Sequence, residues 1–323
     1  MSDFTIYGAG VMGLCVATEL MARGASVRLI DPAQSGGAAC SWWAGGMLAP
    51  FCEFESAEEP VLRHGQAAMD WWQQHTAVTR AGTLVLALGR DRGELARFAR
   101  RTHGAVAVNG PDIAALEPDL AGRFDQALFF GAEAHLNPRP ALAALRAGLQ
   151  AKGAQFGGDA QGQMIDCRGL AARDVLPDLR GVRGEMLVLR QPEIALARPV
   201  RLLHPRVPIY LVPRGDGVFM LGATMIESDR RGVVTARSVL ELLSAAYALH
   251  PAFGEAEILE TGADARPAFP DNLPRIGRVG DRLYANGLYR HGYLLAPAVA
   301  QQLADHITNG SRPEFWHETD DQR

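Results

Sequence analysis

The sequence predicts an α/β fold in which a Rossmann-like nucleotide-binding domain, assembled from dispersed segments, carries an inserted antiparallel-sheet domain. Three observations predict it. A strand, a glycine turn, a helix and a second strand open the chain. Strand and helix patterns alternate early and segregate later. The closing stretch returns to a strand, a glycine-bearing turn and a long helix.

The opening unit is the most specific. Phe4-Thr5-Ile6-Tyr7 reads as a buried strand and Gly8-Ala9-Gly10-Val11-Met12-Gly13 as the turn, with Val11, Leu14, Cys15 and Thr18 on one face of the following helix. The glycines let the backbone approach a pyrophosphate, whose charge is met by N–H groups at the helix N-terminus. A second strand over 26–30 delivers Asp31, 18 residues after Gly13, where a βαβ unit places an acceptor for ribose hydroxyls. An acid there suits a free ribose rather than a 2′-phosphate.

Composition bounds the function. With 323 residues, 48% of them hydrophobic and 21% charged, the chain can fill one large or two interleaved cores. A net charge of −4 without a basic run gives no footprint for nucleic acid or an anionic membrane. Cys15, Cys40, Cys52 and Cys167 lack CxxC spacing, so neither a metal site nor a disulfide framework is expected. The N-terminus runs directly into the first strand and no stretch approaches a membrane span, which makes the cytoplasm the expected compartment.

Helices are expected over 57–78, 91–103, from Asn137-Pro138 to Gly153, over 235–250 and over 294–309. Strands are expected at 82–88, 105–109, 126–130 and 164–168. From Arg183 the pattern turns antiparallel, with strands at 184–190, 200–204, 207–213, 217–224 and 255–263, and Gly215-Asp216-Gly217 as a hairpin turn. The last strand is expected at 282–285. The nucleotide domain is therefore read as 1–78, 135–182 and 264–323, and the inserted domain as 79–134 and 183–263.

Nicotinamide domains usually close in one run, whereas flavin domains often draw on dispersed segments including the C-terminus, so FAD is the expected cofactor. A second small-residue loop, Ser35 to Pro50, follows Asp31 closely, and its glycines would admit a flat ring. Trp42, Trp43, Met47 and Leu48 make it too apolar for an ordinary surface loop.

Four motifs, in order, carry a resemblance: the first glycine turn with its acid; Ala44-Gly45-Gly46-Met47-Leu48-Ala49-Pro50; Tyr210-Leu211-Val212-Pro213-Arg214 followed by Gly222-Ala223-Thr224-Met225; and Gly287 to Pro297. From residue 1 to about 310 the chain resembles the glycine oxidase family of thiamine biosynthesis, within the D-amino acid oxidase and sarcosine oxidase group of FAD-dependent oxidoreductases. The resemblance implies that Cys40, Ser41, Gly45, Gly46 and Met47 contact the flavin. It implies that Tyr210 and Arg266 hold the substrate carboxylate, a guanidinium fork and a phenol hydrogen bond being matched to that group. Met225 falls on a pocket-wall position. Arg290, His291, Gly292, Tyr293 and Leu294 fall on the turn under the pyrimidine end of the flavin, where N–H groups, the helix dipole and Arg290 would stabilise negative charge. His291 is read as a polar helix-start residue exposed to solvent rather than as a base. Trp42 and Trp43 depart from the small residues usual in the family, and Pro208 stands where relatives carry histidine. The segment expected to hold the adenine, between Gly153 and Asp166, is short and gives no obvious backbone for it. No cysteine lies between Arg266 and Gly292, so FAD is expected to be noncovalent.

The implied reaction is oxidation of glycine, then sarcosine or small D-amino acids, by hydride transfer from Cα, followed by hydrolysis of the imine and reoxidation by O2 to peroxide. A homo-oligomer is implied by relatives. Three alternatives stay open: a D-amino acid dehydrogenase with a non-oxygen acceptor, an RNA-modifying flavoprotein domain, which should need a basic face, and a nucleotide-binding subunit without turnover. An ammonium has no lone pair to form the imine, so the neutral amine must react. The expected outcome is a kcat/KM that climbs with alkaline pH; a flat pH profile contradicts the neutral-amine step.

Overall fold

The computed structural model describes residues 2–31 and 39–318. Ser35-Gly36-Gly37-Ala38, the start of the second small-residue loop, lies outside the described residues.

The N-terminal, middle and C-terminal segments meet in one seven-stranded sheet. Its order is Trp316–His317, Arg275–Val279, Arg282–Asn286, Gln163–Asp166, Phe4–Tyr7, Val27–Ile30 and Gln155–Phe156. Phe4–Tyr7 is an interior strand, parallel to Val27–Ile30 on one side and Gln163–Asp166 on the other. Central parallel strands need apolar cover on both faces. Helices Val11–Ala22, Pro138–Ala151 and Gly292–Asn309 share one core with them, built on Ile6, Leu14, Leu20, Leu145, Ile165, Leu283 and Leu303.

The second sheet has nine strands. Thr83–Ala87, Val106–Asn109 and Gln126–Phe130 join Arg180–Arg190, Val200–Leu203, Ile209–Gly215, Val218–Gly222, Ile226–Glu227 and Glu257–Ala268. The expected antiparallel pattern holds except between Val200–Leu203 and Thr83–Ala87, which run parallel because the chain returns to this edge only after a long excursion through the first sheet. Helix Ala236–Leu249 covers a face, with Leu242, Ala246 and Leu249 fully buried. The strand expected to end at 263 continues to Ala268, so Arg266 is carried by this second sheet, opposite Val182.

Other departures have local causes. The helix expected over 57–78 is two helices, Glu59–Gly65 and Ala68–Gln73. Gly65 packs so closely on the last helix that a Cβ there would lie 2.8 Å from Leu294 Cγ, and glycine is a poor helix former. Past the break, the Trp71 indole donates to Glu19 (2.6 Å) and that of Trp72 to the Tyr293 carbonyl (2.7 Å), tying this short helix to the first and last helices. A further helix, Gly110–Leu116, went unread although Asn109 and Asp112 form a reciprocal capping box around Pro111. Among the described residues no helix is long and apolar enough to cross a membrane.

Within the glycine turn the residues divide. Gly8 has φ +96°, and a Cβ there would sit 2.5 Å from the Cys167 carbonyl oxygen. A Cβ on Gly13 would sit 1.9 Å from the Gly8 carbonyl oxygen, so Gly13 sets the closeness of helix and strand. Gly13→Ala is expected to destabilise the protein by about 1–3 kcal/mol or more, the range for overpacking a filled core, measured by urea unfolding; unchanged stability contradicts this account of the turn.

Candidate active site

A cavity of about 780 Å³ is lined by residues from both sheets, toward the upper part of the ~300–1,000 Å³ range of cofactor and ligand sites. Gly8, Ala9, Gly10, Val11, Met12 and Asp31 line it from the first sheet; Cys40, Ser41, Gly45, Gly46 and Met47 from the second loop. Tyr210, Met225 and Arg266 line it from the second sheet, and Arg290, His291, Gly292, Tyr293 and Leu294 from the turn that opens the last helix. Of the residues predicted to bind cofactor or substrate, Gly13 alone does not line it, for the packing reason given above.

At the nucleotide end, Gly10 stands at the start of helix Val11–Ala22 without a side-chain cap, leaving first-turn N–H groups for an anion. The Val11 N–H is taken by Ser41 Oγ (3.2 Å), which joins the two glycine loops. Asp31 follows the end of Val27–Ile30. Beside Gly8, the stretch Cys167 to Ala171 also borders the cavity, with Arg168 paired to Asp166 at 2.6 Å.

The second loop is shaped by contacts only glycine permits. Gly46 has φ +69°, and a Cβ there would lie 2.3 Å from the Leu136 carbonyl oxygen. A Cβ on Gly45 would lie 2.9 Å from Tyr210 Cε2. Among the described residues the Gly46 N–H has no protein acceptor, so a backbone donor is left over at the wall of the cavity. Glycine turn, acid, uncapped helix start and spare donor together fit a dinucleotide carrying a flat ring. Trp43 also lines the cavity, and Arg139 lies over both Trp42 and Trp43 at 4.8 and 5.4 Å from the ring centroids.

Arg266 and Tyr210 come from different strands of the second sheet. The Arg266 guanidinium lies over Gly184, where a Cβ would be 2.1 Å from Nη2, and Nη1 donates to the Thr224 carbonyl (3.2 Å). The neighbouring carboxylate is engaged elsewhere: Asp264 accepts from Arg231 at 2.5 Å and from the Ala265 N–H at 2.7 Å. Among the described residues Arg266 has no carboxylate partner, so its charge is available to a ligand. Tyr210 is wedged between Gly45 and Gly222, each approaching its ring to about 3 Å where a Cβ would stand.

Arg290 differs. Its Nη2 lies 3.3 Å from Glu53 Oε2, and its Nη1 donates to Met225 Sδ at 3.3 Å. Glu53 also faces Arg201 (3.1 Å) and His291 Nδ1 (3.5 Å). Burial raises the Glu53 carboxyl, but Arg290 and Arg201 outweigh it and hold it down to about 2. Glu53 Oε2, Arg201 Nη1 and His291 Nδ1 are near enough for ion pairing yet angled away from hydrogen-bond geometry. Glu53 and Arg201 both line the cavity and were missed in the sequence, where isolated charges in apolar runs carry no motif.

The reading of His291 as solvent-exposed is corrected. It is 5% exposed, packed edge-on to Tyr289, and burial lowers its pKa to about 4, so it is neutral at neutral pH. The turn folds inward because Leu288 and Tyr293 on either side are core residues. Among the described residues no group of His, Cys, Asp and Glu has the arrangement of a metal site.

These features fit the site of a dinucleotide-dependent enzyme. Residues 3–306 match the family described as DAO, FAD dependent oxidoreductase, and the chain belongs to it. It is an FAD-dependent oxidoreductase. It is 57% identical over 319 residues to a Rhizobium etli protein named a thiamine biosynthesis oxidoreductase, ThiO, covering 96% of this chain and 98% of that one. It is 30% identical to the glycine oxidase of Pseudomonas aeruginosa, over 95% of each chain. The crystal structure of glycine oxidase from Geobacillus kaustophilus shares the fold, with a TM-score of 0.83, 22% identity and coverage of 97% and 96% of the two chains.

Because the folded pKa of Glu53 lies below its ordinary 4.5, its stabilisation is present above pH 4.5 and is lost as pH falls toward about 2. Glu53→Gln is expected to cost about 3–5 kcal/mol at neutral pH, the range for removing one partner of a buried ion pair, and to remove that portion of the acid loss. Urea unfolding of the apoprotein from pH 7 to 2 measures both; a variant as stable as the parent at pH 7 contradicts the network.

Proposed function

We propose that the chain oxidises a small amino acid, glycine first, then sarcosine or small D-amino acids, and that its product serves assembly of the thiamine thiazole. The observation that carries this is Arg266, a cavity arginine without a carboxylate partner among the described residues, facing the same space as the nucleotide-binding glycine turn. Similarity to proteins named ThiO and glycine oxidase supports the substrate class and pathway.

In this reading Arg266 takes the substrate carboxylate as a two-donor fork and Tyr210 adds a phenol hydrogen bond. Their placement turns the Cα–H of the substrate toward the glycine-walled part of the cavity. Gly45 and Gly46 keep that wall close enough for a flat ring. FAD, when bound noncovalently in this cavity, would supply a two-electron acceptor for the hydride, and O2 would be the oxidant that regenerates it, with peroxide as the product. His291 is neutral and Glu53 is engaged by Arg290 and Arg201, so neither is offered as a base. No side-chain base is needed, because the amine lone pair drives hydride departure and water then converts the imine to the oxo acid and the free amine, which is ammonia for glycine and methylamine for sarcosine. We also assign the enzyme to the cytoplasm as a homo-oligomer.

The test is a substrate panel of glycine, sarcosine, D-alanine and D-proline, scored by anaerobic flavin bleaching and aerobic peroxide. Bleaching and peroxide with glycine support the reading. Bleaching without peroxide in air would favour a dehydrogenase, and no bleaching by any amine would overturn the oxidase.

Arg266→Ala is expected to leave FAD bound while weakening kcat/KM for carboxylate substrates by about 2–5 kcal/mol. Tyr210→Phe is expected to cost about 1–2 kcal/mol, one hydrogen bond to a charged group. Unchanged steady-state kinetics in either variant removes that residue from the substrate site.

A further inference from the structure

The run Tyr210 to Arg214 ends in an arginine that does not line the cavity and has no carboxylate partner among the described residues. Its guanidinium is spent on backbone. Nη1 donates to the Leu136 carbonyl (3.1 Å), and Nη2 to the Gly45 carbonyl (2.8 Å), with the Ala44 carbonyl at 3.5 Å. These acceptors belong to two separate stretches of chain. Gly45 lies in the second glycine loop, and Leu136 stands just before Asn137, the N-cap of helix Pro138–Ala151. Arg214 itself lies in strand Ile209–Gly215 of the nine-stranded sheet. One side chain therefore ties the substrate-side sheet to both.

The direction of the Gly45 carbonyl matters. In a planar trans peptide the C=O and the N–H of the same unit point opposite ways. With the Gly45 carbonyl turned to Arg214, the Gly46 N–H is turned away from it, and Gly45, Gly46 and Met47 are cavity-lining residues. That N–H is the one without a protein acceptor. The loop is also braced from behind, since the Leu136 N–H donates to the Gly46 carbonyl (2.9 Å).

We propose that Arg214 is a positioning residue for the cofactor: by holding the Gly45 and Leu136 carbonyls it aims the Gly46 N–H into the cavity as a hydrogen-bond donor to the flavin ring. This rests on the cavity being the flavin site. A donor fixed in that way favours the ring state carrying more negative charge, so its loss lowers both cofactor affinity and the flavin midpoint potential. An ammonium at 214 keeps the charge but lacks the planar fork that reaches two carbonyls at once.

The test uses the full chain, stripped of FAD and reloaded. FAD affinity is read by fluorescence quenching, the midpoint potential of the reloaded protein by dye equilibration, and apoprotein stability by urea. Arg214→Met is expected to bind FAD about tenfold to a hundredfold more weakly, consistent with loss of one or two charged hydrogen bonds, and to show a lower potential. Arg214→Lys is expected to fall between Arg214→Met and the parent. Parent-like FAD affinity and potential in Arg214→Met overturn the proposal, as does a loss of apoprotein stability with both cofactor readouts intact. Complete rescue by Arg214→Lys overturns the positioning role in favour of charge alone. Should Arg214→Met fail to fold, Arg214→Lys carries the test by itself. A parent chain that binds no FAD would overturn the flavin site as a whole, an outcome separate from these.

Discussion

Leaving a guanidinium without a counter-charge in a partly buried site is costly, and Arg266 has no carboxylate partner among the described residues, whereas the cavity arginines Arg201, Arg231 and Arg290 each face a carboxylate. Arg231 is matched to Asp264, and Arg201 and Arg290 to Glu53. The face of Arg266 turned to the cavity is open to an anion. The remaining architecture serves that condition. Gly184 clears the space under the guanidinium, Thr224 fixes one of its nitrogens, and the second sheet carries it to the cavity across from the glycine turn.

The two sheets divide the labour by chemistry. The parallel sheet presents backbone: an uncapped helix start, two close-approach glycines and a carboxylate at a strand end, which together recognise a dinucleotide without needing many side chains. The mixed sheet presents side chains on strands whose register is fixed by neighbours, Tyr210 standing level with Arg201 on one side and Gly222 on the other. Under the proposed function, rigid strands would hold a carboxylate more tightly than loops, which favours orientation of the reacting bond. Glu53 and Arg214 join the halves, one through charge and the other through backbone carbonyls.

Much of this was legible in the sequence because it is local. A glycine turn between strand and helix, an acid at fixed spacing and a second run of small residues are contiguous patterns with direct mechanical meaning, and Gly8 to Met12, Asp31, Cys40, Ser41 and Gly45 to Met47, read from them, all border one cavity. The illegible parts are those set by distant partners. His291 looked like a solvated helix start, and only the packing of Leu288, Tyr293 and Glu53 around it shows why it is buried and neutral. Glu53 and Arg201 are single charges whose meaning depends on meeting each other across 148 residues of chain. The break at Gly65 depends on Leu294, and the parallel pair in the second sheet on the route of the whole chain.

The measurement that bears most directly on the central claim is a difference titration of the FAD-loaded chain with acetate and with acetamide, ligands of nearly equal size that differ in charge. An unpartnered Arg266 beside the flavin predicts that acetate perturbs the flavin absorption in a saturable way and that acetamide does not. Equal perturbation by both, or none by acetate, would contradict it.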